Sequence, residues 1–218
     1  MAGTPTPPTS RGRPDLEAAR ALYQRHAESY DTQTDWAGVD RAKAVALLGL
    51  QAGDTVVDIG CGTGLCFAAI EEQIGPKGRL VGIDPSVEML GRAAERVARA
   101  GWKNVDLRLG LAQEQLNAGD DLDAALFCFT HDVLRSREAL EIVVSRLQPG
   151  GRVAAVGPMW GPWWAMGTNL LVWYVTSDYV TTFEGFSEPW SHLAELVPAL
   201  EVERHDLAGQ YFAWGVVE

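Results

Sequence analysis

The chain has 218 residues, 47% hydrophobic and 22% charged, which is enough for one domain with a full core and too apolar for wholesale disorder. Its net charge of −11, from 18 basic and 29 acidic side chains with no basic stripe, excludes a nucleic-acid backbone as the main partner. The three cysteines, Cys61, Cys66 and Cys128, make neither a disulfide framework nor a zinc-ligand spacing, so no metal is expected.

The opening "MAGTPTPPTSRGRP" is rich in Pro and Thr and lacks the apolar core of a signal peptide. It predicts a flexible tail over residues 1–14 of a cytoplasmic protein, ahead of a single domain over 15–218. Leu16, Ala19, Leu22, Tyr23 and Ala27 recur on one side of a helix over Asp15 to about Tyr30. A second helix is predicted over Val39 to Leu50, so that 15–50 forms an N-terminal helical region.

A strand over Thr55–Ile59 then leads into a glycine turn and a helix over Leu65–Ile74, closed by Gly75 and Pro76. "RLVGID" predicts a second strand, and Ser86 caps a helix that runs to Ala100 and stops at Gly101. "VDLRLG" and "DAALFCF" supply a third and fourth strand, Arg137–Leu147 a helix, and Arg152–Val156 a fifth strand after a Pro-Gly-Gly turn. "LEVERHDL" and "QYFAWGVV" close the chain as a hairpin.

Between Arg152 and Asp178 lie 25 residues without a charge, the length of a membrane span. Gly157, Pro158, Gly161, Pro162 and Gly167 would break any single helix through them. The expectation is a strand followed by a lid over 158–198, with no integral membrane span. Strands alternating with helices imply an α/β fold, a mostly parallel sheet covered by helices on both faces, with the C-terminal hairpin antiparallel. Ligands of such sheets sit at the carboxyl ends of the strands, where strand order reverses.

The turn "VVDIGCGTGLC" carries Gly60, Gly62 and Gly64, whereas a dinucleotide fingerprint needs its third glycine where Leu65 stands, and no Walker lysine follows. Asp58 beside the turn suits an ammonium better than a pyrophosphate. Asp84, at the tip of the second strand, suits the two hydroxyls of a ribose. Adenosine with a cationic, amino-bearing tail describes S-adenosyl-L-methionine.

"VVDIGCGTG", "LVGIDPSVEML", "DAALFCFTHDVL" and "LQPGGRVAAVG" resemble, in order and spacing, the class I S-adenosylmethionine-dependent methyltransferases. The resemblance covers about residues 20–157 and is nearest in type to the small-molecule enzymes acting on menaquinone, ubiquinone and phospholipid amines. It implies a Rossmann-like seven-stranded sheet, with Gly60, Cys61 and Gly62 along the methionine part of the cofactor, Asp58 at its amino group and Asp84 on the ribose. It further implies Pro85, Met89 and Ala112 about the adenine, Phe129 past the fourth strand, and Tyr30 closing over the cofactor. Leu111 stands where the family often has an adenine-binding aspartate, and Gln113 is the nearest replacement acceptor.

His131, in "FTHDVL", follows the fourth strand and titrates near neutrality, which makes it the candidate base. Equally, His131 or Asp132 serves only to cap a turn. Trp160, Trp163 and Trp164, backed by Trp173 and Tyr174 and facing Tyr23 and Trp36, suit a small apolar or aromatic acceptor. No arginine is evident for clamping a phosphate or carboxylate. Two other classes stay open: a family member catalysing a step other than methylation, and an enzyme taking lipid amines at a membrane surface. The acceptor atom, O, N or C, is not fixed by the sequence.

Overall fold

The computed structural model describes Asp31 and residues 37–177 and 179–218. The predicted tail, the predicted helix over 15–30, and Tyr23, Tyr30 and Trp36 lie outside the described residues.

Seven strands form one sheet: β1 Thr55–Ile59, β2 Arg79–Asp84, β3 Val105–Leu109, β4 Leu122–Cys128, β5 Leu147–Pro158, β6 Glu201–His205 and β7 Gln210–Val216. Their order is β3-β2-β1-β4-β5-β7-β6. β1 to β5 are parallel, and β7 runs antiparallel to both neighbours. The chain winds outward from β1 through β2 to β3 and then crosses back to place β4 on the other side of β1. The reversal therefore falls between β1 and β4, at their carboxyl ends.

Central strands read as continuous apolar runs because both faces are covered. The two-residue period divides them between two cores. Val57, Ile59, Val81, Ile83 and Phe127 face one, with Leu140 and Val143 of the helix Arg137–Val144. Val56, Leu80 and Leu126 face the other, with Phe67, Ile70 and Ile74 of the helix Phe67–Ile74. Ser86 Oγ accepts from Met89 N at 3.3 Å and starts the helix Val87–Ala100, which ends at Gly101 in a left-handed cap.

Element ends differ from expectation where tertiary pairing decides them. The fifth strand begins at Leu147 rather than Arg152, because the Pro-Gly-Gly segment is tied to the end of β7: Gly150 N donates to Val217 O and Val217 N to Gly151 O. The preceding helix accordingly stops at Val144, and the helix predicted over Val39–Leu50 spans Gly38–Leu47. Leu65 and Cys66 belong to the glycine turn, so the next helix starts at Phe67.

The helices Ala112–Gln115, His131–Leu134 and Ser191–Leu196 are too short to carry a period. The helix Met166–Thr176 is apolar nearly all round, and so has none to read. It buries Val172 and Thr176, whereas Leu170, Leu171 and Tyr174 are exposed. Among the described residues no helix is long and apolar enough to cross a membrane.

Candidate active site

The glycine turn sits at the reversal point. Gly60 N and Cys61 N both donate to Ile83 O, at 2.8 and 3.0 Å, so the turn hangs from the end of β2. Gly60 has φ of 67°, and a Cβ there would lie 2.4 Å from Thr130 Cγ2. Gly62 has φ of 56°, with open space where its side chain would be, which leaves a bare-backbone cradle.

Asp84 is fixed at the head of this cradle. Its Oδ2 accepts from Gly62 N at 2.9 Å and its Oδ1 from Ser86 N at 2.8 Å. Burial pushes its pKa up to about 6, against the two N–H donors that favour the ionised form. Asp31 docks on the turn from the other side, with Oδ1 2.5 Å from Thr63 Oγ1 and Oδ2 2.6 Å from Arg96 Nη2.

Two cavities adjoin the turn and share Gly60, Gly62, Cys128 and Phe129. The larger, of about 540 Å³, is of the size that holds small ligands. Asp84, Pro85 and Met89 line it, and so do Leu111, Ala112 and Gln113. The smaller, of about 20 Å³, holds Asp58, Arg41, Cys61 and Cys66 in its wall. Both carboxylate oxygens of Asp58 are buried without a hydrogen-bond partner. Burial, and then the charge of Asp84, push its pKa up to about 8, with Arg41 opposing. A buried, unsatisfied acceptor beside an open backbone cradle fits a ligand that carries an ammonium. Asp84, with both oxygens fixed on the larger cavity, fits a diol.

Phe129, between the two cavities, is the one non-glycine residue with positive φ among the described residues, at 59°. Its N–H donates to Val156 O at 2.8 Å, which holds the strained residue at the sheet edge.

His131 opens the short helix after β4 and is buried against the larger cavity. Its Nε2 lies 3.2 Å from Glu184 O. A carbonyl only accepts, so Nε2 carries the proton and Nδ1 keeps a lone pair. That Nδ1 is buried and without a partner. Burial holds the imidazole pKa down to about 4, so the ring is neutral at neutral pH. Phe186 meets it edge-on at 4.6 Å between centroids. Arg135 anchors the loop that carries Glu184 and Phe186, since its Nη1 donates to Ser191 Oγ at 2.9 Å and its guanidinium lies where a Cβ on Gly185 would fall.

The predicted cofactor and base residues within the described chain, from Asp58 through His131, all border one cavity or the other. The predicted tryptophans do not. Trp163 is 85% and Trp164 58% exposed, and Trp160 stacks on Phe183 and packs against Phe186, 5.2 and 5.1 Å away, off the cavity wall. The Asn169 side chain explains this. It receives Gly161 N at 2.8 Å and donates to Pro162 O at 3.3 Å, folding the Trp-rich turn back on its own helix with the indoles outward. Tyr179 and Val180 supply the wall in their place.

A second correction concerns arginine. Arg135 and Arg137 reach the cavity, although no arginine was expected there. Both are engaged elsewhere, Arg135 on Ser191 and Arg137 on Glu141 and Glu195, at 3.0 and 2.6 Å. Thr130 and Asp132 also line the site. They stand in the stretch that flagged His131, whereas nothing local distinguishes Tyr179 or Val180.

Residues 56–151 match the methyltransferase domain family. The arsenite methyltransferase of Halobacterium salinarum is 33% identical over 111 residues, 50% of this chain but only 28% of that protein. The demethylmenaquinone methyltransferase of Listeria monocytogenes is 27% identical over 187 residues, covering 82% of this chain and 79% of that one. Among solved structures, a SAM-dependent methyltransferase from Aquifex aeolicus shares the fold with a TM-score of 0.59 at 18% identity, over 91% of this chain and 98% of its own. A putative O-methyltransferase from Nostoc punctiforme does so with a TM-score of 0.65 at 16% identity, over 89% and 60%. With the strand order, the glycine turn and the paired aspartates, these matches place the chain: it belongs to the class I S-adenosylmethionine-dependent methyltransferases.

Proposed function

We propose that the chain transfers a methyl group to a hydroxyl of a small, uncharged acceptor, apolar or aromatic, with His131 taking the proton. The observation that carries this is the neutral His131 imidazole on the cavity wall, its Nε2 proton committed to Glu184 O and its Nδ1 lone pair unspent. Leu111, Val133 and Val180 give the cavity apolar wall, and the two arginines at its edge are tied to protein partners, which supports a neutral acceptor. The demethylmenaquinone methyltransferase, aligned over 82% of this chain, is named for a quinone-type ring and supports the same class.

The cofactor supplies the methyl group as a sulfonium. Asp58 would accept from its ammonium and Asp84 from its ribose hydroxyls, with Pro85 and Met89 against the adenine and Phe129 turning the chain toward the acceptor side. His131 holds the acceptor oxygen and receives its proton. A panel of phenols, alkyl alcohols, amines, sugar phosphates and amino acids, offered with methyl-labelled cofactor, tests the acceptor class. Label is expected in neutral aromatic hydroxyls. Transfer confined to phosphorylated or carboxylated compounds would overturn it.

The buried Asp58 gives a separate expectation. Its pKa of about 8 means that the free protein holds a proton there at neutral pH. An incoming ammonium favours the ionised form, so binding of the cofactor or its demethylated product expels that proton. Affinity should rise with pH up to about 8, by as much as about tenfold per unit. Calorimetry at pH 7 in buffers of different ionisation enthalpy should show about one proton released. The Asp58→Asn protein should lose both effects, and equal affinity at pH 6 and 8 in the parent would remove Asp58 from the ammonium site.

A further inference from the structure

Three consecutive residues after β4 each carry a buried polar atom without a hydrogen-bond partner: Thr130 Oγ1, His131 Nδ1 and Asp132 Oδ1. All three residues line the larger cavity. Buried polar atoms are normally satisfied, and three in a row on one wall mark a surface built for a ligand's polar groups. The other half of each functional group is already committed. His131 Nε2 is on Glu184 O at 3.2 Å, and Asp132 Oδ2 accepts from Thr181 Oγ1 at 3.0 Å. These contacts fix both side chains and leave one acceptor atom on each. Thr130 is held from behind, its methyl filling the space that Gly60 leaves.

Proton removal at a single hydroxyl uses only the His131 atom. The remaining Asp132 oxygen accepts when ionised, and the Thr130 hydroxyl can complete the contact. We propose that Thr130 and Asp132 form a second subsite that binds another hydrogen-bond donor on the same acceptor, so that the preferred acceptor is a ring with two hydroxyls, a dihydric phenol. This rests on the reading of His131 as the group facing the reacting hydroxyl. The selectivity follows from satisfaction: a ring with one hydroxyl leaves the Asp132 oxygen buried and unpaired in the complex, and sites built to bond a hydroxyl discriminate strongly against ligands that lack it.

The test compares phenol with catechol, resorcinol and hydroquinone as methyl acceptors, by kcat/KM, in the parent protein and in Asp132→Asn and Thr130→Val. The asparagine can still accept from Thr181, and valine keeps the shape of threonine. Calorimetric binding of the demethylated cofactor checks that each variant is folded. At least one dihydric ring is expected to exceed phenol by about tenfold or more in the parent, with that ratio falling about tenfold in Asp132→Asn and less in Thr130→Val. If phenol and every dihydric ring turn over alike, or the ratio survives Asp132→Asn in a protein that binds cofactor, the second subsite does not exist and the His131 reading stands. If none of the four is methylated, the hydroxyl-acceptor reading falls and takes the subsite with it.

Discussion

His131→Ala is expected to lower kcat on a hydroxyl acceptor by about 10²–10⁴-fold, the usual worth of a positioned base. A pKa near 4 makes His131 a weak base, and that is sufficient for this step. The acceptor oxygen becomes strongly acidic only as the methyl group bonds to it, so proton transfer runs downhill late in the reaction and needs a lone pair in place rather than a strong one. The same depressed pKa fixes the pH profile. Only the neutral ring accepts a proton, and it stays neutral until pH falls toward 4, so kcat at saturating cofactor and acceptor should be level through pH 6.5, where an ordinary histidine would halve it. The measurement is a pH–rate profile of both proteins, with cofactor affinity as the control, because His131 lies away from Asp58 and Asp84. Full turnover in His131→Ala would reduce His131 to a helix-opening residue and leave proximity to carry the chemistry.

Asp84→Ala should weaken binding of the cofactor and of its demethylated product by about 1.5–3 kcal/mol, or about 10–100-fold, the worth of hydrogen bonds to a charged acceptor. Part of that loss is indirect. Asp84 also accepts from Gly62 N and Ser86 N, so its removal loosens the backbone cradle as well as the ribose contact. The Asp84→Asn protein separates the two contributions, since one amide oxygen can keep a backbone donor while the amide nitrogen cannot accept from a hydroxyl. Titration calorimetry, with thermal denaturation as the fold control, reads both. Unchanged affinity in Asp84→Ala would withdraw the ribose assignment.

The strand order, the two-sided core and the glycine turn are legible in the sequence because each is written locally. A strand covered on both faces must be apolar throughout, and a turn with positive φ at Gly60 and Gly62 needs glycine. Asp84 and His131 are legible for a related reason, since both sit at strand ends that the topology sends to the same edge. What failed was composition taken for position. Trp163 and Trp164 are large and apolar, which says that burial would be favourable but not against what, and the Asn169 amide settles their direction from eight and seven residues away. Arg135 reads as an ordinary surface arginine until the chain returns 50 residues later with Gly185 and Ser191. Tyr179 and Val180 enter the cavity wall by the same long return.

The atom that sets the tautomer of His131 belongs to the main chain at Glu184. No substitution of the Glu184 side chain deletes that carbonyl, so drift at position 184 leaves the tautomer untouched. The hidden weak point is one residue on. Gly185, at φ of 70° with the Arg135 guanidinium 2.5 Å from where a Cβ would stand, tolerates no side chain without moving the loop. A population of variants of this enzyme should therefore be free at the residue that makes the contact and constrained at a neighbour that makes none.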